Sequence, residues 1–104
     1  MKQTETNLIK ACMEYLAVKK FKLFWRNNTG AFKTEKGFYR FGEVGSADIF
    51  VVLPPYGKLI GIECKVGRNR LSESQIIFGE KLVKAGGVYI VCHSLDDLIR
   101  ELED

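Results

Sequence analysis

The chain contains no apolar run long enough to cross a bilayer, which takes about 20 residues, and Met1-Lys2-Gln3-Thr4-Glu5 lacks the apolar core of a signal peptide. These two gaps set the expectation of a cytoplasmic protein with no membrane partner. Histidine is almost missing. His93 is the only one, it falls at a predicted strand end, and no Ser or Cys partner accompanies it by pattern, so no triad is expected. Cysteine is sparse and odd in number: Cys12, Cys64 and Cys92 are widely spaced and show no metal-ligand spacing. That argues against a disulfide framework and a zinc site, and reads each as a small buried hydrophobe in a reducing compartment. No G-x-G-x-x-G or P-loop pattern is present, so the glycines at 42 and 45 do not by themselves indicate phosphate binding. Repeats, linkers and low-complexity stretches are also missing.

What remains is a composition that folds. The 104 residues are 46% hydrophobic and 28% charged, which suits one small domain over residues 1–104. A net charge of +3 permits a polyanionic partner without demanding one. Residues 4–20 read as an amphipathic helix, with Leu8, Ile9, Cys12, Met13 and Leu16 at helical spacing. Residues 22–28 and 37–41 read as strands joined by a polar stretch, followed by strands 47–53 and 58–66. Ser72 opens a second helix that runs to about Ala85 and stops at Gly86-Gly87. Val88 to Cys92 forms a nearly all-apolar strand of the kind buried on both sides, and Ser94 caps a last short helix. The helix between strands 58–66 and 88–92 is a crossover, which makes those two parallel. The expected fold class is an α/β sandwich with a central mixed sheet.

Within strand 58–66, Ile60, Ile62, Cys64 and Val66 form an apolar face, while Glu63 and Lys65 occupy the other. Burying unpaired charge is expensive, so a carboxylate and an ammonium inside a core strand need an explanation. Pro54-Pro55-Tyr56-Gly57 is a turn by composition. If it closes a hairpin with Leu53 opposite Lys58, Asp48 falls opposite Glu63, with Cβ atoms about 5 Å apart. Two carboxylates so placed repel unless a cation lies between them, and Mg²⁺ or Mn²⁺ suits oxygen ligands. The ordinary alternative is an exposed Glu63–Lys65 pair, worth little. The opposing Asp48 and the apolar surroundings favour a site.

Other residues carry two readings each. Glu5 points along the stripe of Ile9, Cys12 and Leu16, aimed at the sheet, yet an acid in a first helical turn also suits the helix dipole. Gln75 fits a capping box with Ser72, yet also suits a cleft residue that binds phosphate or water. Arg68 and Arg70, just after Lys65, are candidates for bidentate phosphate contacts or a solvated basic loop. Arg26 and Arg40 lie among aromatics in Phe24-Trp25-Arg26 and Phe38-Tyr39-Arg40-Phe41. They suit nucleic-acid backbone contacts or the outer face of an aromatic hairpin. Gly42 and Gly45 suggest a φ-positive entry into the Asp48 strand.

Taken in order, Gly45-Ser46-Ala47-Asp48, then Glu63-Cys64-Lys65, then Gln75 opening a helix, resemble the VRR-NUC family of the PD-(D/E)XK nuclease superfamily. The leading helix with Glu5, the Trp25-to-Gly30 segment and Gly86-Gly87 agree, so the resemblance spans nearly the whole chain. Ala47 stands where many superfamily members carry Pro. The resemblance implies a restriction-endonuclease-like α/β/α sandwich and divalent-metal-dependent hydrolysis of DNA phosphodiesters. Asp48, Glu63 and the Cys64 carbonyl would ligate Mg²⁺ or Mn²⁺, Lys65 would position the attacking water, and Gln75 would belong to the site. Glu5 would support the site or a second metal. Small stand-alone members are phage or bacterial, similar to Holliday-junction resolvases, and tend to be homodimers. The implied substrate is branched or duplex DNA, with a partner protein as a further influence on substrate choice. Alternatives are an end- or flap-processing nuclease, a catalytically silent nucleic-acid-binding module, and a plain α/β interaction domain.

Overall fold

A computed structural model describes residues 3–28 and 30–103, and in the segment 30–41 it describes the side chains of residues 33–38 alone. Helix α1 (Glu5–Val18) opens the chain, with the Thr4 hydroxyl accepting the Asn7 N–H as its N-cap. Strands β1 (Leu23–Arg26), β2 (Gly30–Thr34), β3 (Gly37–Phe41), β4 (Ile49–Leu53) and β5 (Lys58–Cys64) follow. Helix α2 (Glu73–Lys84), strand β6 (Val88–Cys92) and helix α3 (Leu95–Glu103) complete it. None of these helices is long and apolar enough to cross a membrane.

The protein is a mixed α/β fold around a four-stranded sheet in the order β1-β4-β5-β6. The first two pairings are antiparallel, and β5–β6 is parallel across the α2 crossover. Three expectations are corrected. Residues 30–34 form a strand, β2, rather than part of a polar connection. Strand 22–28 does not form a hairpin with 37–41 either: β1 pairs with β4, while β2 and β3 make a separate two-stranded sheet. The reason is local. Glu35-Lys36 makes a tight turn whose Thr34 hydroxyl donates to the Gly37 carbonyl, so β3 finds its partner in the adjacent segment. Strand β6 is also not buried throughout. It is the last strand of the sheet, with Ile90 and Cys92 buried and Val88, Tyr89 and Val91 half-buried.

Alternation along β5 divides the structure into two faces. Ile60, Ile62 and Cys64 join Ile49, Val51, Ile90 and Cys92 beneath Leu8, Ile9, Cys12 and Leu16 of α1 and Leu98 of α3. On the opposite face Gly61 lies against Leu82 of α2, and Phe78 packs edge-on to both Phe50 and Tyr89. Gly61 and Gly79 permit this close approach. A Cβ on Gly79 would come within 2.6 Å of the Tyr89 ring. Helix α2 therefore covers the face that carries Glu63.

Candidate metal centre

The hairpin register places the two acids together. Leu53 pairs with Lys58 and Ile49 with Ile62, and the next step of the same register sets Asp48 level with Glu63. Gly57, at φ +75°, closes the turn that fixes this register. Asp48 lies one residue before β4, where the backbone is held from two sides. Its carbonyl accepts the Asn27 N–H at 2.8 Å. The Asn27 side chain donates to Ser46 Oγ at 2.6 Å and to the Ala47 carbonyl at 3.1 Å. Asn27 thus staples the approach to Asp48 onto the end of β1. From the other side Gly45, at φ +77°, sits against the start of α2, where a Cβ would run into the Ser74 carbonyl.

The Asp48 carboxylate accepts the Cys64 N–H through Oδ2 at 2.8 Å. Glu63 is the one buried charged residue among those described, at 2% exposure. Its Oε2 accepts Gln75 Nε2 at 3.0 Å, while Oε1 has no hydrogen-bond partner. Burial pushes the Glu63 carboxyl up to about 8, and the Asp48 charge and a hydrogen-bonding contact with Asp48 push the same way. Lys65 draws it back, and Glu5 adds a further upward push. The Tyr89 phenol is raised by burial first and then by the charges of Glu63 and Asp48, and its hydroxyl is also buried without a partner.

Gln75 closes the expected capping box and also reaches across to Glu63. Its Oε1 accepts the Ser72 N–H at 2.8 Å, its own N–H donates to Ser72 Oγ at 3.3 Å, and its Nε2 reaches Glu63. The capping box therefore fixes the carboxamide that orients Glu63. Lys65 lies just past β5, half-buried, with its N–H donating to the Cys92 carbonyl at 3.0 Å. Glu5 is half-buried at the start of α1 and accepts Asn69 Nδ2 at 2.8 Å. It lines a cavity of about 710 Å³ with Arg68, Asn69 and His93. Arg70 is exposed near the end of the same loop. Arg26 is exposed on β1, paired with Ile49 and adjacent to Asn27. The Arg40 side chain lies outside the described residues.

The arrangement suits a hard divalent cation. Asp48, Glu63 and the Cys64 carbonyl would offer oxygen donors alone. A buried carboxylate oxygen without a donor is costly unless it is protonated or paired with a cation. Glu63 Oε1 is such an oxygen.

Two features escaped the sequence reading. Asn27 is part of the family-like pattern, but its stapling role depends on β1 ending beside Ser46. The three cysteines, expected to be separate buried hydrophobes, are all buried and free, and their sulfurs lie within 4.8 Å of one another. Cys64 and Cys92 are register partners on β5 and β6, with Sγ atoms 3.6 Å apart. No sequence spacing signals this, because the third thiol arrives from α1. Comparison with models of known protein families finds no match, and a search of curated proteins finds none.

Proposed function

We propose that the chain is a divalent-metal-dependent endonuclease that hydrolyses DNA phosphodiester bonds, of the VRR-NUC kind and selective for branched substrates. The observation that carries this reading is the buried, half-satisfied Glu63 held level with Asp48 and beside Lys65. The coverage of one sheet face by α1 and α3 and of the other by α2 supports a restriction-endonuclease-like sandwich.

Asp48, Glu63 and the Cys64 carbonyl would hold Mg²⁺ or Mn²⁺. When bound, the ion supplies Lewis acidity towards a phosphate and a more acidic water. Gln75 keeps Oε2 of Glu63 occupied, which leaves Oε1 for the cation. The Lys65 ammonium orients the attacking water and offsets charge on the scissile phosphate. Arg68 and Arg70 neutralise neighbouring backbone phosphates, and Arg26 extends that contact along β1. Glu5 holds Asn69, and so fixes the loop that carries these arginines. A homodimer would present two such sites to a four-way junction.

The test is cleavage of labelled four-way junction, flap and linear duplex DNA with Mg²⁺, Mn²⁺ or EDTA, beside Lys65→Ala. Metal-dependent cutting, strongest on the junction and lost in the variant, is expected. Salt-sensitive binding with no cutting of any substrate would replace the nuclease with a nucleic-acid-binding module.

A further inference from the structure

All three cysteines of the chain, one each from α1, β5 and β6, meet at a single point in the core. Their residues are 0% exposed and every thiol is free. Small apolar-like side chains can fill a core anywhere. Convergence of the full set from three separate elements is a more specific arrangement. From it we infer that Cys12, Cys64 and Cys92 form a three-coordinate thiolate site for a soft metal ion of the copper(I) class.

Geometry supports three-coordination. At a metal–thiolate length of about 2.3 Å, three sulfurs in a plane around one ion stand about 4.0 Å apart. The Cys64 and Cys92 sulfurs are 3.6 Å apart and all three lie within 4.8 Å. The observed separations thus bracket the spacing that three-coordination requires. The donor set selects the ion. No histidine or carboxylate oxygen joins the group among the described residues. Structural zinc completes a tetrahedron with a fourth ligand, whereas soft thiolate donors favour copper(I). Asp48 and Glu63 face the other side of the sheet and suit hard cations, so the two sites do not compete for one metal.

An approach exists. The cavity of about 710 Å³ is lined by Val66 and His93, which lie two positions beyond Cys64 and one beyond Cys92. Its rim includes Glu5, from which Ile9 and Cys12 descend along one face of α1 into the core. Binding is an exchange of protons for the ion: three S–H bonds break, three S–Cu bonds form, three protons leave to solvent, and no atom changes oxidation state. The site would tie α1 to β5 and β6 directly behind the Cys64 N–H that holds Asp48.

The inference stands apart from the nuclease reading and is tested without DNA. The reduced 104-residue chain, kept free of oxygen under a phosphine reductant, is titrated with copper(I) held by a chromophoric bidentate chelator. Transfer of one copper per chain is expected, with near-ultraviolet sulfur-to-copper charge-transfer absorption and a raised Tm. Cys12→Ala and Cys92→Ala, each checked for a cooperative melt without metal, should bind at least tenfold more weakly; if one fails to fold, the other decides. Copper that stays on the chelator, or equal uptake by a folded alanine variant, would overturn the inference.

Discussion

Gln75 and Glu63 are joined by a 3.0 Å hydrogen bond from Nε2 to Oε2, across the gap between α2 and β5. The same carboxamide closes the capping box with Ser72, so a helix-start device also fixes an acid in the sheet. Gln75→Ala removes the cap partner and the side-chain amide that donates to Glu63. A loss of about 1–3 kcal/mol in urea denaturation is expected. A loss confined to a few tenths would mean that the two bonds are not both formed.

The raised Glu63 carboxyl makes metal-free stability depend on pH. The group titrates near 4.5 when unperturbed and at about 8 in the fold. Between these values the fold retains a proton that the unfolded chain has lost, so stability falls as pH rises, by up to about 1.4 kcal/mol per unit. The contribution is full below 4.5 and gone above 8. Urea midpoints in EDTA from pH 5 to 8.5 should decline in the parent, and Glu63→Gln should flatten the decline. Parallel profiles would show that another group is responsible.

Gly45 couples the two halves of the site. Its φ of +77° and the nearby Ser74 carbonyl leave no room for a side chain. Gly45→Ala should cost about 1–3 kcal/mol through strain and overpacking, and should weaken Mn²⁺ binding by displacing the segment that leads to Asp48. Calorimetric titration beside thermal melting checks both effects. A folded variant with parental affinity would show that this segment relaxes without moving Asp48.

The basic loop gives a salt-dependent signature. If Arg68 and Arg70 neutralise phosphates, each change to Ala should weaken DNA binding and reduce the slope of log K against log salt by about 1. Binding in Ca²⁺ measures this without turnover. An unchanged slope would return the loop to the solvent.

The acid pair was legible because it depends on local structure. A Pro-Pro-Tyr-Gly turn fixes one hairpin register, and that register places Asp48 level with Glu63. The Ser72–Gln75 cap was legible for the same reason, being closed within one helical turn. Strand β2 was not, because Gly30-Ala31-Phe32-Lys33-Thr34 has little alternation and pairs only with β3. Asn27 reaches Ser46 across 19 positions, and Cys64 meets Cys92 across 28. Contacts of that range depend on how β1 ends and where α1 docks, which no spacing in the sequence records.

The central claim is that Asp48 and Glu63 share one divalent cation. Its most direct measurement is Mn²⁺ titration calorimetry at pH 8 and pH 6 on the parent, Asp48→Asn and Glu63→Gln. One Mn²⁺ per chain is predicted, tighter at pH 8 because the ion displaces the Glu63 proton, and weakened at least tenfold in both variants. Equal affinity in the parent and the two variants, or no binding at either pH, would contradict the account.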